Sequence, residues 1–139
     1  MLDSASYAST PLDRKLAIGE GDEVAIIGAP EWFEDAVASL PDVASLQTDL
    51  AVDAHYDVIV TFITQRAELE SELPRLLSRM APACGLWVAW PHRASRAATD
   101  MSEEVVRQVA LSAGLVDTRV CAIDDTWSAL RLMLRRQRR

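Results

Sequence analysis

Three short runs of the chain are apolar on both faces of an extended strand. They are EVAII from Glu23 to Ile27, DVIVTFIT over 57–64 and GLWVAW over 85–90. Strands of a parallel sheet that helices cover on both sides have this continuous apolar character, whereas half-exposed strands alternate apolar and polar positions. Residues 44–48 predict a further, weaker strand. The pattern therefore indicates an α/β architecture with at least three buried strands.

Between these runs, apolar residues recur every three or four positions, as on the buried face of a helix. EWFEDAVASL and QRAELESELPRLLSRM each predict a helix of this kind. Pro74 interrupts the second one, where it either bends the helix or opens a new one as a first-turn residue. The predicted buried stripes contain Phe33, Ala36, Val37 and Leu40 in the first helix and Leu69, Leu73, Leu76, Leu77 and Met80 in the second.

The last part of the chain predicts one more helix and then a hairpin. The helix begins at Thr99 or Asp100, with Glu103 placed for a capping box on Asp100, and ends at Gly114. LVDTRVCAI and WSALRLML follow as two strands, separated only by a turn over 124–126. A connection this short joins antiparallel strands, so the sheet is expected to end in a hairpin.

Parallel β-α units closed by a C-terminal antiparallel hairpin resemble the class I methyltransferase fold, a Rossmann-like doubly wound sheet. YDVIVTFITQRAEL resembles the fourth strand and following helix of those enzymes, and LSRMAPACGLWVAWP resembles their passage into the fifth strand. The stretch Asp49–His55 is too short for their third strand and its helix, and the first loop, IIGAPEWF, lacks their glycine-rich turn. We therefore expect a three-layer α/β domain with a mostly parallel sheet, truncated relative to those enzymes.

Three motifs together are similar to a bacterial family named domain of unknown function 3052. Its members carry A-P-E-x-F after the first strand, L-W-V-A-W-P in the middle and V-C-A-x-D-x-T-W-S near the end. Here these are APEWF from Ala29, LWVAWP from Leu86 and VCAIDDTWS from Val120. The resemblance runs from about Thr10 to Leu134 and implies a bacterial Rossmann-like domain, without an activity to transfer.

The size and charge of the chain narrow the classes of protein it could be. Its 139 residues suit one domain over 11–134, with a mobile lead-in over 1–10 and a basic tail over 135–139. No apolar run approaches the roughly 20 residues of a membrane span, and no secretory signal opens the chain, so a cytoplasmic protein without membrane contact is expected. The net charge of −7 disfavours nucleic acid as a partner. Cys84 and Cys121 lie at or within apolar runs and are expected to be small buried hydrophobes.

Ligands of open α/β sheets bind outside the carboxyl ends of the strands. All three family-like motifs contribute loops to this edge, which makes it the candidate site for an unknown small molecule or protein partner. The alternative, that these loops meet only because they connect strands, stays open. The candidate ligand-binding residues are Gly28, Pro30, Glu31, Thr61, Thr64, Pro91, His92, Arg93, Arg96, Asp124, Thr126, Trp127 and Ser128.

The first loop discriminates among common cofactors. The only G-x-G, Gly19 to Gly21, precedes the first strand, Pro30 removes an amide donor, and Glu31 would repel a pyrophosphate. Nicotinamide and flavin dinucleotides are therefore disfavoured. S-adenosylmethionine has no phosphate and remains compatible, with Asp49 as a candidate for its ribose and Gly28 for close backbone approach.

The first loop also has a second interpretation, in which side chains and not a cofactor fill the pocket. It depends on two large residues that follow Gly28. Trp32 and Phe33 could help to fill the cofactor pocket of a retained fold.

Side chains suited to catalysis are few. His92 is the one histidine predicted at the carboxyl edge, with Asp124 or Asp125 as orienting groups. Ser95, Thr126 and Ser128 are candidate hydroxyl nucleophiles, but no G-x-S-x-G elbow contains them. Asp-Asp-Thr between two strands is also typical turn chemistry.

The scarcity of suitable side chains therefore disfavours an enzyme. It favours a non-catalytic ligand-binding or protein-interaction module, with a homodimer through the hairpin as an open expectation. The alternative function is a small S-adenosylmethionine-dependent methyltransferase. Trp87 and Trp90 are an odd number of positions apart, so they are expected to pack on opposite faces of the sheet and not to form an aromatic clamp.

Overall fold

The computed structural model describes residues 12–38, 40, 45–48, 50, 54–92 and 98–135. Four helices and six strands lie in this part of the chain. In chain order they are α1 (Leu12–Lys15), β1 (Glu23–Ile27), α2 (Glu31–Ala38), β2 (Ser45–Gln47), β3 (Tyr56–Phe62), α3 (Arg66–Ser78), β4 (Met80–Pro91), α4 (Glu103–Ser112), β5 (Leu115–Ala122) and β6 (Trp127–Leu134). The described residues do not include the predicted lead-in, the candidate ligand-binding residues Arg93 and Arg96, Ser95, Asp49 or residues 136–139.

The strands form one mixed sheet in the order β2-β1-β3-β4-β6-β5. β1 pairs in parallel with β2 and β3, and β3 pairs in parallel with β4. β6 is antiparallel to both β4 and β5, which confirms the predicted C-terminal hairpin. Among the described residues between β2 and β3 there is no additional strand, in keeping with the predicted truncation.

Two separate apolar cores cover the two faces of the sheet. One packs α3 and α4 against the sheet and contains Trp90, and the other packs α2, Leu16 and Ile18 against the opposite face and contains Trp87. Trp87 is fully buried and Trp90 is 5% exposed. The prediction that the two indoles lie on opposite faces is confirmed, because alternate residues of a strand point to opposite sides.

α3 runs without a break through Pro74, so this proline does not open a second helix. Leu69, Leu73 and Leu76 form its buried stripe as predicted. Met80, however, is the first residue of β4, which is therefore longer than the predicted strand over 85–90.

The predicted capping box at α4 is wrong. The N-cap is Ser102, whose side chain accepts a hydrogen bond from the Val105 amide at 3.2 Å. Asp100 lies outside the helix, and its Oδ1 accepts the Arg66 amide at 2.7 Å. Gln65, the N-cap of α3, makes no side-chain cap of its own, so the Asp100 carboxylate satisfies an orphan donor of the neighbouring helix.

Candidate functional site

The end of β4 and the hairpin turn are joined at the carboxyl edge of the sheet. Pro91 pairs with Trp127, and Trp90 pairs with Ser128. The backbone amide of His92 then donates a 2.8 Å hydrogen bond to the Thr126 carbonyl. The structure therefore brings together five of the predicted site residues, namely Pro91, His92, Thr126, Trp127 and Ser128.

The carboxylate of Asp124 holds the hairpin turn. Its Oδ1 accepts the backbone amides of Thr126 at 2.9 Å and Trp127 at 2.7 Å. An aspartate that caps the backbone two and three positions later is a recurrent turn device. Asp124 therefore stabilises the turn. This is the structural role predicted for it, as opposed to the orientation of His92.

A cavity of about 550 Å³ opens beside this junction. Its described lining comes from the end of β4, from residues 99–103 before and at the start of α4, and from Ser128 of β6. His92 is half-buried at this lining, while Trp90 and Met101 provide apolar surface. The cavity has the size of a small-molecule site and combines apolar walls with a few polar groups.

Residues 99–103 were not among the predicted site residues, although they form much of the cavity wall. The hydroxyl of Thr99 donates a 2.6 Å hydrogen bond to the Thr64 carbonyl and accepts the Met101 amide at 3.0 Å. This pair of bonds fixes the approach to α4 against the end of β3. In the sequence, the polar run TDMSE marks these residues as a possible part of the site, but the start of a helix explains the run equally well.

The first loop lies at the neighbouring part of the same edge. Gly28 is exposed and has a left-handed φ of 69°, and a Cβ there would lie 3.2 Å from the Phe62 carbonyl oxygen. The Pro30 carbonyl accepts the amides of Phe33 at 3.0 Å and Glu34 at 3.3 Å, and Glu31 begins α2. Thr61 is only 2% exposed and belongs to the interior of the sheet.

Four aromatic rings run from the first loop to the hairpin in edge-to-face contacts. The ring centroids of Trp32 and Phe33 are 5.7 Å apart, those of Phe33 and Phe62 are 5.0 Å apart, and those of Phe62 and Trp127 are 4.9 Å apart. Phe33 is fully buried, as expected for a side chain that fills space below the loop. Trp32 is 46% exposed, so most of the buried aromatic surface below the loop comes from Phe33 and Phe62.

The two cysteines are poorly suited to nucleophilic chemistry. Burial raises the pKa of the Cys84 thiol to about 12, and burial likewise raises the pKa of Cys121 to about 11. Both thiols therefore stay protonated near neutral pH, where only the thiolate would be reactive.

No helix among the described residues is long and apolar enough to cross a membrane.

The strand order, the parallel core of the sheet and the terminal hairpin define a Rossmann-like fold of the class I methyltransferase type. Solved structures share this fold. One is the ribosomal protein L11 methylase from Lactobacillus delbrueckii subsp. bulgaricus, at 15% identity and a TM-score of 0.57, covering 98% of this chain and 80% of that one. Another is the N-methyltransferase NodS from Bradyrhizobium japonicum, at 12% identity and a TM-score of 0.61, covering 96% and 97%.

A third structure is magnesium protoporphyrin IX methyltransferase from Synechocystis with bound S-adenosylmethionine, at 12% identity and a TM-score of 0.57, covering 96% of this chain and 76% of that one. At such identities the likeness shows the fold alone. No model of a protein family matches the chain, and no curated protein does. The resemblance to domain of unknown function 3052 is therefore not confirmed.

Proposed function

We propose that this protein binds S-adenosylmethionine at the carboxyl edge of its sheet and acts as a small methyltransferase. The observation that carries the proposal is the position of Gly28. It follows β1 at the point where the strand order reverses, between β1 and β3, and its backbone is left-handed and exposed. Ligands of open α/β sheets bind at such switch points.

The charge of the first loop supports this choice of ligand. S-adenosylmethionine carries two positive groups, its sulfonium and its ammonium, and a single carboxylate. Glu31 and Glu34 place carboxylates in the first turn of α2, where they disfavour a phosphate but suit a cation. Pro30 offers no amide to a phosphate, while Gly28 allows a ligand to approach the backbone closely. When bound, the sulfonium would supply an electrophilic methyl group.

The cavity beside the hairpin supports a place for the methyl acceptor. Its volume of about 550 Å³ suits a small molecule. His92 is the side chain of the described lining that could take a proton from the acceptor, because Asp100 is engaged with the Arg66 amide and Glu103 with the Arg107 guanidinium. We propose this role for His92, and a small polar molecule as the acceptor.

Calorimetric titration with S-adenosylmethionine and S-adenosylhomocysteine tests the cofactor. Gly28→Ala should weaken both ligands at least tenfold, because it adds a Cβ at the switch point. Gly21→Ala is the matched control, since Gly21 has a φ of 79° but lies away from this edge with open space around it. A folded wild-type protein that binds neither adenosyl compound would overturn the proposal.

A second candidate is a ligand-binding module of the same fold that transfers no methyl group. The burial of Phe33 and Phe62 below the first loop favours it, because these rings occupy space next to the switch point. Formation of S-adenosylhomocysteine in the presence of a panel of small acceptors separates the two functions. A methyltransferase should lose turnover in His92→Gln and keep it in His55→Gln, whose exposed histidine lies at the opposite edge. Tight cofactor binding with no turnover on any acceptor favours the module.

A further inference from the structure

Two arginines of the C-terminal hairpin face each other across the strands. Arg119 of β5 is the register partner of Arg131 of β6, and Arg131 is also the partner of Trp87 in β4. Their side chains lie on the face that carries Trp87, since Leu130 and Leu132 of β6 pack into the opposite core. Like charges placed directly opposite each other destabilise a β-hairpin. A negative charge near the two arginines would reduce this repulsion.

Within the part of the chain that the structure describes, neither arginine forms an ion pair. Arg66, Arg75 and Arg107, in contrast, each pair with a glutamate on their own helix. The Nε of Arg131 is buried and has no hydrogen-bond partner among the described residues. A guanidinium group is always charged and offers five donors, so a buried donor without an acceptor carries a desolvation cost.

The surroundings hold the Arg131 guanidinium in place. Gly85 of β4 lies beneath it, and a Cβ at this position would come within 2.6 Å of Arg131 Nε. Arg131 Nη1 also lies 3.4 Å from the hydroxyl oxygen of Thr118 and 3.3 Å from the sulfur of Met133. These two groups carry no charge, so they orient the guanidinium without neutralising it.

The Arg119 guanidinium has a rigid base. Its Cζ lies 5.9 Å from the centroid of the Trp87 ring, and the indole is fully buried and hydrogen-bonded to the Leu16 carbonyl. A cation over an indole face gains a modest attraction that leaves its N–H donors free for another partner. The two arginines thus start from paired positions on one face of the hairpin, and each side chain lies against a buried part of β4.

Other charges near the pair do not compensate it. Lys15 and Arg119 both act to lower the pKa of Cys121 against the larger effect of burial. Asp57 and Arg131 act in opposite directions on the pKa of Cys84. The Asp57 carboxylate accepts the Glu23 amide at 2.9 Å and makes no ion pair with Arg131 within the described residues.

We propose that Arg119 and Arg131 form an oxyanion site on the hairpin that takes the phosphate monoester group of a small molecule. Two guanidinium groups match a dianion in charge, and their Nη–H groups can donate hydrogen bonds to phosphate oxygens. A phosphate monoester carries roughly −1.5 to −2 charges near neutral pH. The Thr118 hydroxyl donates to the Arg131 carbonyl and accepts from Arg131 Nη1, so it helps to position Arg131. The site lies on the hairpin face and does not depend on the proposed adenosyl ligand.

Titration with inorganic phosphate and methyl phosphate at constant ionic strength tests the site, with the arginine Nε–H signals followed by NMR. Saturable shifts of the Arg119 and Arg131 signals are expected with both phosphates and with sulfate. Acetate and chloride should give neither saturation nor comparable shifts. Equal responses to phosphate and chloride would indicate screening alone and overturn the proposal.

Variants separate the site from general charge effects. Arg119→Gln and Arg131→Gln should each weaken phosphate binding at least tenfold, whereas Arg75→Gln, which removes one charge from α3, should leave it unchanged. Arg131→Lys keeps the charge but loses the fork and should also bind more weakly. Without anion, Arg131→Gln should melt at the same temperature as the wild type or higher, since it removes a like-charge contact. Phosphate binding that persists in the double glutamine variant contradicts the proposal.

Discussion

The indole Nε1 of Trp87 donates a buried hydrogen bond of 2.8 Å to the carbonyl oxygen of Leu16, 71 positions earlier in the chain. The bond ties the centre of β4 to the segment after α1, and both residues are fully buried. It also anchors the ring on which the Arg119 guanidinium rests. One side chain therefore links the core of the sheet, the N-terminal segment and the hairpin face.

Trp87→Phe should destabilise the protein by about 2–3 kcal/mol, because it leaves the Leu16 carbonyl buried without a donor and opens a small void. Urea unfolding followed by far-ultraviolet circular dichroism measures the effect. Trp32→Phe is the matched control, since Trp32 is 46% exposed, and its loss should stay below about 1 kcal/mol. Similar losses in both variants would show that the buried hydrogen bond contributes little.

The two caps near α4 should act on different helices. Ser102→Ala should cost about 1 kcal/mol and accelerate amide hydrogen exchange at Val105, whose N–H the serine side chain accepts. Asp100→Ala should accelerate exchange at Arg66, in the first turn of α3. Exchange at each amide is followed by NMR in both variants. Faster exchange at Val105 in Asp100→Ala alone would restore the capping box that the structure contradicts.

Pro74→Ala should stabilise the protein by on the order of 1–3 kcal/mol. Pro74 lies within continuous α3 and is exposed, so alanine restores a backbone donor in the helix interior without loss of core packing. Thermal unfolding of Pro74→Ala is compared with that of Ser71→Ala, an exposed change on the same helix that improves helix propensity by only about 0.5 kcal/mol. A melting temperature that falls in Pro74→Ala would mean that the proline shapes the packing of α3.

Alkaline pH should weaken the fold through Cys84. Burial raises the pKa of this thiol from 9.0 to about 12, so the folded state retains a proton that the unfolded state releases. The contribution is fully present below the pKa of the unfolded thiol and is lost as the pH rises from about 9 towards 12, at up to about 1.4 kcal/mol per pH unit.

Urea unfolding of wild type and Cys84→Ala between about pH 8 and pH 10 measures this dependence. The variant should have a smaller alkaline slope, although it is less stable at every pH because a buried side chain is shortened. Every other titratable group is common to the two proteins, so its effect cancels in the comparison. Parallel pH profiles would show that the thiol is not the source.

The fold was predictable because its signals are local. The apolar runs that became β1, β3 and β4 report burial on both faces, and the short turn at Asp124 dictates an antiparallel hairpin. The odd spacing of Trp87 and Trp90 was enough to assign them to different cores. Each of these inferences depends on neighbours in sequence and on strand periodicity.

The site was less accessible to sequence reasoning. Pro91, His92 and Ser128 were predicted from the carboxyl ends of the strands, and the structure places them at one cavity. The contribution of residues 99–103 was missed because it depends on the Thr99–Thr64 hydrogen bond, between groups 35 positions apart. Arg93 and Arg96 lie outside the described residues, so their role at this edge stays a prediction.

The sequence by itself determined the α/β class, the alternation of strands and helices, and the hairpin. The edge that it indicates for a ligand stays a prediction. Only the tertiary structure showed which polar groups form hydrogen bonds with another element. Asp100 accepts a hydrogen bond from the first amide of α3, whereas Arg131 Nε has no partner among the described residues. The spacing of apolar residues is set by the geometry of a single helix or strand, so it can be read directly from the amino-acid sequence. Hydrogen-bond and charge partners come from segments far apart in the chain, and only the packed fold brings them within reach.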